Sequence, residues 1–278
     1  MNPTNAGPPE TATRADARHR TGAVTRLGAG LLEIMQVLGE GWIVLIRTLA
    51  CLRFVFTDRR RIVDQMLRTG TQTLMIGCLV SLFIGMVMVV QAADQLANYT
   101  QEVLGTIVGL SMTKEMGPVL MGFLVTGRVG SAIAAEIGSM SVYDEISALR
   151  TMDIDPVRFL VLPRLVAMVI TIPLLILYAD AIGILGGALV VAFDPSIHIT
   201  VNEYFENLLN WINLTDILVG LIKGAVFGVI IAVISCTFGF RTRGGSEGVA
   251  TSTTAAVVWS FVLIIVFDYL LVRMSFLL

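Results

Sequence analysis

Two adjacent ionisable residues, Lys114 and Glu115, interrupt a long apolar part of the sequence, and Gly117 and Pro118 follow them directly. Ionisable groups inside a membrane are costly, so they usually pair with one another or serve a binding function. A lysine here could attract an anionic group while the glutamate orients partner groups. Adjacent helical residues do not face each other, so we expect the two side chains to address different partners. A structural ion pair between helices explains them equally well.

Pro118 is expected to bend the helix that carries this pair, because proline removes a backbone hydrogen bond. Such a bend would help to open a cavity, although a proline kink can also be a tolerated packing feature. Lys114 lies roughly 30 Å from the far end of its apolar run, and Gln91 and Tyr99 fall at the same end. The predicted substrate-binding group is therefore Gln91, Tyr99, Lys114, Glu115, Gly117 and Pro118.

A second polar segment, 136–155, is too polar to cross a membrane. Ser141 and Asp144 have the spacing of a capping box, and the apolar residues that follow them share one face. This pattern predicts a short amphipathic helix between two spans that ends near Asp155 and Pro156. This helix could rest on the bilayer surface, but its acidic balance favours a protein partner over anionic lipid. The candidate residues for contact with such a partner are Glu136, Asp144, Glu145, Ile146, Leu149 and Arg150.

The composition identifies the kind of protein that these segments belong to. Of 278 residues, 55% are hydrophobic and only 14% are charged, which is far too apolar for an ordinary soluble domain. Apolar runs of the length needed to cross a bilayer, about 20 residues, predict an all-α integral membrane protein with five transmembrane helices. The runs are 71–93, 106–135, 159–193, 217–240 and 251–278.

The basic residues predict the orientation of the chain, because cytoplasmic flanks are enriched in Lys and Arg. Ten of the 19 basic residues precede the first predicted span, whereas the connections 94–105 and 194–216 contain none. We therefore expect a cytoplasmic amino terminus and a carboxyl terminus on the opposite, periplasmic side.

The sequence divides into three regions. Residues 1–25 have the composition of a disordered cytoplasmic tail, and residues 70–278 form the predicted five-span domain. Between them, region 26–69 has a wide apolar face interrupted by charges, which predicts an amphipathic helix lying in the membrane interface. A sixth span is the alternative, but the charges within the run make it less favourable.

Several classes of chemistry have no support in the sequence. The three cysteines, Cys51, Cys78 and Cys236, stand singly in apolar surroundings, which favours buried packing over a metal site or a disulfide framework. The glycine-rich segment 241–248 lacks the lysine of a phosphate-binding loop and is predicted to be a flexible hairpin. We therefore expect no enzyme activity and no cofactor in this chain. Glycines at four-residue spacing predict close helix packing, within one chain or at a homodimer face.

Several short motifs occur in an order that resembles the MlaE/YrbE permeases, the membrane subunits of ABC transporters that work with MCE-domain proteins. The resemblance covers about residues 30–278 and leaves the amino tail outside. The motifs are EMGPV at 115–119, GRVGSA at 127–132, AEIG at 135–138, IDP at 154–156 and PR at 163–164.

The resemblance implies a homodimer in the bacterial inner membrane that binds two cytoplasmic ATPase subunits and a periplasmic MCE hexamer, with a STAS-domain subunit in some members. ATP and Mg²⁺ would be held by the ATPase, the substrate would be phospholipid, and no nucleic acid is implied. By position, the predicted binding group matches the family's lipid cavity and segment 136–153 matches its coupling helix. Lys114 replaces an arginine of the best-known relative, and lysine lacks the bidentate fork for phosphate.

Three other functions stay open at this stage. The transporter could take up a sterol or another apolar lipid as an Mce-type importer, or the chain could be a membrane anchor for an MCE protein without transport activity. A secondary transporter or channel is less favoured, because the charged pair is expected near one membrane surface and no carboxylate is expected near the middle of a span.

Overall fold

The computed structural model describes residues 23–55, 58–96 and 103–275. Apart from a short 3₁₀ turn at Leu52–Phe54, these residues form eight helices and no strand. In chain order the helices are α1 (Ala23–Ala50), α2 (Arg59–Leu96), α3 (Leu104–Val142), α4 (Glu145–Thr151), α5 (Val157–Phe193), α6 (Val201–Trp211), α7 (Leu214–Arg241) and α8 (Gly245–Ser275).

Five of these helices, α2, α3, α5, α7 and α8, are long and apolar enough to cross a membrane. The predicted all-α fold with five spans is therefore confirmed. Helix α2 begins at Arg59 rather than with the apolar run at 71, because the intervening segment contains no proline to end a helix. Four of the basic residues before the first span, Arg59, Arg60, Arg61 and Arg68, thus lie in the first turns of the same helix.

Helix α1 is not among the five membrane-crossing candidates. Its exposed side chains include the large apolar residues Leu32, Met35 and Trp42, as expected of a helix with a wide apolar face. Its position in the membrane interface stays a prediction. The predicted disordered tail lies outside the described residues up to residue 22, and residues 23–25 are already helical.

The contacts divide the chain into two units, Met1–Ile43 and Val44–Leu278, and the second unit contains all five spans. Within it, α5 and α7 are the most buried spans, whereas α2 and α8 are the most exposed. The most extensive contact joins α2 to α5, and α7 packs against α3, α5 and α8. Helix α6 covers the first turns of α3.

Glycines allow the spans to approach closely. A Cβ atom on Gly85 of α2 would overlap the backbone of Gly183 on α5, and one on Gly186 would meet the carbonyl of Leu82. The three glycines spaced by four residues on α7 likewise lie against other helices of the same chain. The prediction of close packing is confirmed as intramolecular packing, and the facing residues of Gly220, Gly224 and Gly228 are Thr113, Ile176 and Met168.

Helix α3 is not a regular α-helix throughout. It contains two π-helical turns, Met112–Met116 and Thr126–Gly130, and Pro118 follows the first of them. The N–H of Gly117 donates to the carbonyl of Met112, five residues earlier. The bend predicted at Pro118 stays a prediction, but α3 departs from α-helical geometry beside it, and π turns of this kind are frequent at functional sites.

The short helix predicted between the second and third spans is α4, but its ends differ from the prediction. Asp144 precedes the helix with a left-handed φ of 57° and makes no side-chain capping bond. The Ser141 hydroxyl instead donates to the carbonyls of Phe240 and Thr242. The predicted capping box is therefore wrong, because the sharp turn between α3 and α4 removes the extended backbone that a capping side chain needs.

The carboxyl end of α4 is closed by backbone hydrogen bonds. The N–H of Ile154 donates to the carbonyl of Leu149, and the N–H of Asp153 donates to that of Arg150. Together with the left-handed φ of 58° at Asp153, these bonds form a Schellman motif with aspartate in the place usually taken by glycine. Helix α4 therefore ends at Thr151, before the Asp155 and Pro156 that were predicted to end it.

The predicted flexible loop 241–248 is a tight connection. Helix α7 ends at Arg241 and α8 begins at Gly245, which leaves three connecting residues. Gly244 and Gly245 have φ values of 89° and 73°, a region that glycine enters without steric cost. The glycines of this segment therefore shape a turn between two spans.

Candidate functional site

Lys114 forms an ion pair with Asp216 at one end of the bundle. The ammonium of Lys114 lies 2.8 Å from Oδ1 of Asp216, and their side chains are 46% and 14% exposed. Asp216 is fixed in turn, because its Oδ2 accepts a hydrogen bond from the N–H of Asn213 at the start of α7. Lys114 therefore presents a partly solvated positive charge that is tethered to a neighbouring span.

Glu115 faces a different partner, as the helical offset between the two residues predicted. Its Oε2 accepts a hydrogen bond of 2.8 Å from the ammonium of Lys223 on α7. Oδ1 of Asp268 on α8 lies 2.9 Å from the same ammonium in an ion pair. Lys223 is only 1% exposed, so this cation sits inside the protein and joins α3, α7 and α8.

The same lysine compensates for Pro118. Proline has no N–H to donate to the carbonyl four residues earlier, which is that of Lys114. The ammonium of Lys223 donates to this carbonyl at 2.8 Å. An unpaired carbonyl inside the protein would cost about 1 to 3 kcal/mol, so the lysine stabilises the distorted part of α3 as well as the two carboxylates. We call Glu115, Lys223 and Asp268 the charged triad.

A further carboxylate, Asp180, lies close to this region. Asp180 is buried on α5, and its Oδ1 has no hydrogen-bond partner among the described residues. A Cβ atom on Gly117 would overlap this oxygen, so Gly117 permits the carboxyl group to reach the backbone of α3. Asp180 is about 20 Å from the end of α5 at Phe193. The expectation that no span carries a carboxylate near its middle is therefore wrong.

The structure supports only part of the predicted substrate-binding group as an exposed surface. Lys114 is exposed, Glu115 is partly buried and Gln91 is exposed near the end of α2. Gly117 and Pro118 are buried, so they shape the helix and are not exposed to a ligand in this chain. Tyr99 lies outside the described residues, and its predicted place in the site is left as a prediction.

At the opposite end of the bundle, Glu136 is separate from the short helix to which it was assigned. It lies on α3 and pairs with Arg164 of α5, with 2.8 Å between Oε2 and Nη2. Arg164 is 4% exposed, and its Nη1 also donates to the carbonyl of Leu160. The position of Glu136 is thus that of a link between two spans, next to α4 in sequence but not part of it.

The other predicted coupling residues have two different environments. Ile146 is buried and Leu149 is partly buried, which confirms the predicted apolar face of α4, whereas Asp144, Glu145 and Arg150 are exposed. A polar cavity of about 470 Å³ lies between α4 and the α7–α8 turn. The exposed charged residues are therefore available to a partner, while the apolar ones anchor the helix.

Four ionisable residues that form these ion pairs or lie beside them were not predicted from the sequence. Three of them are single ionisable residues inside an apolar run and the fourth, Asp216, directly precedes one, and that pattern alone marks a position of interest in a membrane protein. Their partners could not be found from spacing, because the partners lie on other helices. The residues are Asp180, Asp216, Lys223 and Asp268.

No group of three or more His, Cys, Asp or Glu side chains is placed to hold a metal ion among the described residues. The triad contains two carboxylates, but the ammonium of Lys223 occupies the position between them. The charged triad is therefore organised around the ammonium of Lys223, and its two carboxylates are paired with that cation.

Five apolar spans with paired charges between them define a multi-pass membrane protein. The family model described as permease MlaE matches residues 62–274. This range includes the charged triad and the ion pairs Lys114–Asp216 and Glu136–Arg164. The chain belongs to the MlaE permease family.

Curated relatives extend over most of the chain. A probable ABC transporter permease protein of Rickettsia typhi is 39% identical over 216 residues, 77% of this chain and 83% of that protein. The intermembrane phospholipid transport system permease protein MlaE of Haemophilus influenzae is 34% identical over 255 residues, 91% and 97% of the two chains. The chloroplastic protein TRIGALACTOSYLDIACYLGLYCEROL 1 of Arabidopsis thaliana is 36% identical over 215 residues, 76% and 60%.

Proposed function

We propose that this chain is the membrane subunit of an ABC transporter that moves phospholipid between the bacterial inner membrane and a periplasmic MCE protein. Two copies would form the permease, with their amino termini in the cytoplasm, and two ATPase subunits would supply the energy. The chain itself would not be an enzyme. Membership of the MlaE family and the similarity to the Haemophilus permease of an intermembrane phospholipid transport system support this proposal.

The observation that carries the proposal is the half-exposed ammonium of Lys114 at one end of the spans. A lipid phosphate can approach this charge from solvent, whereas the charge of Lys223 is already enclosed by two carboxylates. Lys114 would attract the headgroup, and Glu115 would hold α7 and α8 in place through the triad. The apolar faces of the spans would then accommodate the acyl chains.

The exposed residues of α4 would receive the movement of the ATPase. Helix α4 follows α3 after a tight turn, and α3 carries Lys114 and Glu115 toward its other end. A displacement of α4 would therefore act on the helix that holds the lipid-binding charge. Buried Ile146 would transmit the displacement because it anchors α4 in the protein.

Replacing Lys114 by methionine should reduce phospholipid transfer by about tenfold, since a hydrogen bond to a charged group contributes about 1.5 to 3 kcal/mol. The measurement is ATP-dependent transfer of fluorescent phospholipid from proteoliposomes that contain the permease and its ATPase to the MCE protein. Lys114→Arg should retain most of the transfer because the charge is kept.

Asp216→Asn is the matched control for Lys114. It removes the ion pair, while the amide oxygen can still accept the bond from Asn213. If Lys114 acts on the phosphate, Asp216→Asn should transfer lipid at least as well as the unaltered protein. An equal loss of transfer in Asp216→Asn and Lys114→Met would instead show that only the ion pair matters.

The coupling role of α4 predicts a separate defect. Glu145→Arg combined with Asp144→Asn should reduce lipid transfer at least tenfold, because the reversed charge would face a like charge on the partner, which costs several kcal/mol. Asparagine is chosen because it tolerates the left-handed backbone of Asp144. The measurement compares lipid transfer with ATP hydrolysis in the reconstituted complex.

Glu206→Arg is the control for this variant, because Glu206 is an exposed acidic residue on α6 at the opposite end of the bundle. It should leave the coupling of hydrolysis to transfer unchanged. Undiminished transfer in the Glu145→Arg, Asp144→Asn protein would remove α4 from the coupling pathway. The same assay, run with and without the ATPase, tests the rival function of a membrane anchor. An anchor predicts no ATP-dependent transfer in either case.

A further inference from the structure

A cavity of about 280 Å³ lies at the end of the bundle opposite the charged triad, between the first turns of α2, the start of α5 and the end of α3. Its walls combine charged and apolar groups, and neither of the sites described above uses it. Its volume is just below the range of pockets for drug-sized molecules. The cavity therefore has room for a small polar headgroup. The lining residues are Arg61, Asp64, Gln65, Arg68, Glu136, Met140, Phe159, Leu160, Pro163 and Arg164.

Arginine dominates the charge of this cavity. Three arginines, Arg61, Arg68 and Arg164, face two carboxylates, Asp64 and Glu136, which leaves one positive charge in excess. Guanidinium groups provide several N–H donors in a planar arrangement that suits phosphate. The charge and the donor set are those of an anion-binding site.

The buried arginine is only partly satisfied. Arg164 bonds to Glu136 and to the carbonyl of Leu160 through its two terminal nitrogens, but its Nε has no hydrogen-bond partner in the described part of the chain. Glu136 is 52% exposed, so the carboxylate that neutralises Arg164 remains accessible to solvent. Arg164 therefore retains one N–H donor, at Nε, that no described residue uses.

The two other arginines are exposed and can reach a ligand directly. The guanidinium of Arg61 stacks on the ring of Phe159, with its central carbon 3.9 Å from the ring centroid, which fixes its orientation. Arg68 lies two turns further along α2. On the same turns of α2, but outside the cavity lining, Val63 and Leu67 expose 51% and 58% of their surface, so apolar surface is available beside the cavity.

We propose that this cavity binds the phosphate-bearing headgroup of an anionic lipid from the leaflet opposite the charged triad, with Arg61 and Arg68 as ligands and Arg164 as a positioning residue. A lipid is favoured over a soluble anion because the cavity has apolar walls formed by Met140, Leu160 and Pro163. The exposed apolar face of α2 would hold an acyl chain. This site is distinct from the one at Lys114 and belongs to the opposite surface of the membrane.

The test measures lipid retention by the full-length protein in nanodiscs that contain phosphatidylglycerol and phosphatidylcholine in equal amounts. After extraction into detergent, native mass spectrometry counts the lipids that remain bound. Arg68→Gln should lower the retention of phosphatidylglycerol about fivefold, the effect expected of one cationic side chain near an anionic headgroup. Arg68→Lys should retain most of the binding, because it keeps the charge.

Arg60→Gln is the matched control, since Arg60 is exposed on the same turn of α2 as Arg61 but does not line the cavity. It removes the same charge from the same end of the bundle and should leave retention unchanged. The single substitution Arg68→Gln avoids disturbing the stacking of Arg61 on Phe159, so loss of folding is not expected. Equal retention in Arg68→Gln and Arg60→Gln would overturn the proposal.

A second arm of the experiment separates lipid from free phosphate. Inorganic phosphate added in excess should not displace the retained phosphatidylglycerol, because it lacks the apolar contacts along α2. Displacement by inorganic phosphate would show a soluble-anion site and would overturn the assignment to lipid. Equal retention of phosphatidylcholine and phosphatidylglycerol would overturn it as well, because an arginine-based site must prefer the anionic lipid.

Discussion

Replacing Lys223 by methionine should destabilise the protein by about 3 kcal/mol, the largest effect expected of any single substitution in the charged triad. The substitution removes the only cation that touches both Glu115 and Asp268 among the described residues. It also leaves the carbonyl of Lys114 without its side-chain donor. The lower end of the range for breaking a buried ion pair applies, because Glu115 keeps 40% of its side chain exposed.

The measurement is the free energy of unfolding in mixed detergent micelles, supported by the apparent melting temperature. Lys114→Met is the comparison at the neighbouring position, where an exposed ion pair is worth about 1 kcal/mol or less. The two substitutions remove the same functional group from the same region. Only the buried one should cause a large loss of stability.

A triple variant determines whether unpaired charge is the cause. Glu115→Gln and Asp268→Asn added to Lys223→Met remove both carboxylate charges and should recover most of the lost stability, since a fully neutral replacement of a buried ion pair is often tolerated. About 1 kcal/mol should remain lost because the carbonyl of Lys114 is still without a donor. A single variant as stable as the unaltered protein, or a triple variant no better than the single one, would contradict this account.

Alanine at Gly85 should destabilise the protein by about 3 kcal/mol, the upper part of the usual range for overpacking. The added methyl group would overlap the backbone carbonyl of Gly183, and a backbone atom cannot rotate away as a side chain can. Helices α2 and α5 would have to separate along their most extensive contact. The effect should appear as a lower melting temperature and as increased protease sensitivity.

Gly127→Ala is the matched control, because, apart from its own stretch of helix, no described residue has an atom within 4 Å of the position that its methyl group would occupy. It should be neutral or stabilising by up to about 1 kcal/mol, since alanine has the higher helix propensity. A loss of similar size in both variants would indicate a general response to glycine replacement. A loss confined to Gly85→Ala would identify the α2–α5 contact as its source.

The sequence was most informative where one helix decides the outcome. The apolar runs determined that five spans exist, because every backbone group inside a bilayer must be satisfied within the helix. Helix ends were predicted less well, as α2 and α4 show. The segment from Arg59 to the start of the apolar run contains no proline, so α2 extends beyond its membrane-spanning part. Helix α4 is ended by a backbone motif at Asp153, which its sequence does not predict.

The candidate site was predicted in the same uneven way. Lys114 and Glu115 are adjacent in sequence, and each forms an ion pair, with Asp216 and with Lys223 respectively. That their partners differ follows from the helical offset alone. Gly117 and Pro118 were predicted to bind substrate with them, but both are buried and act on the shape of α3. Glu136 was grouped with α4 because it is near in sequence, whereas its partner Arg164 lies on α5.

By itself, the sequence determined that the chain is a five-span membrane protein. It also identified the polar segments around Lys114 and Glu145 as candidates for binding. Composition and helical period suffice for this, because burial in lipid acts on each helix separately. Only the tertiary structure decided which charges meet. Lys223 joins Glu115 to Asp268 across three helices, and such pairings depend on the rotation and depth of each helix, which are set by contacts between spans such as that of Gly85 with Gly183.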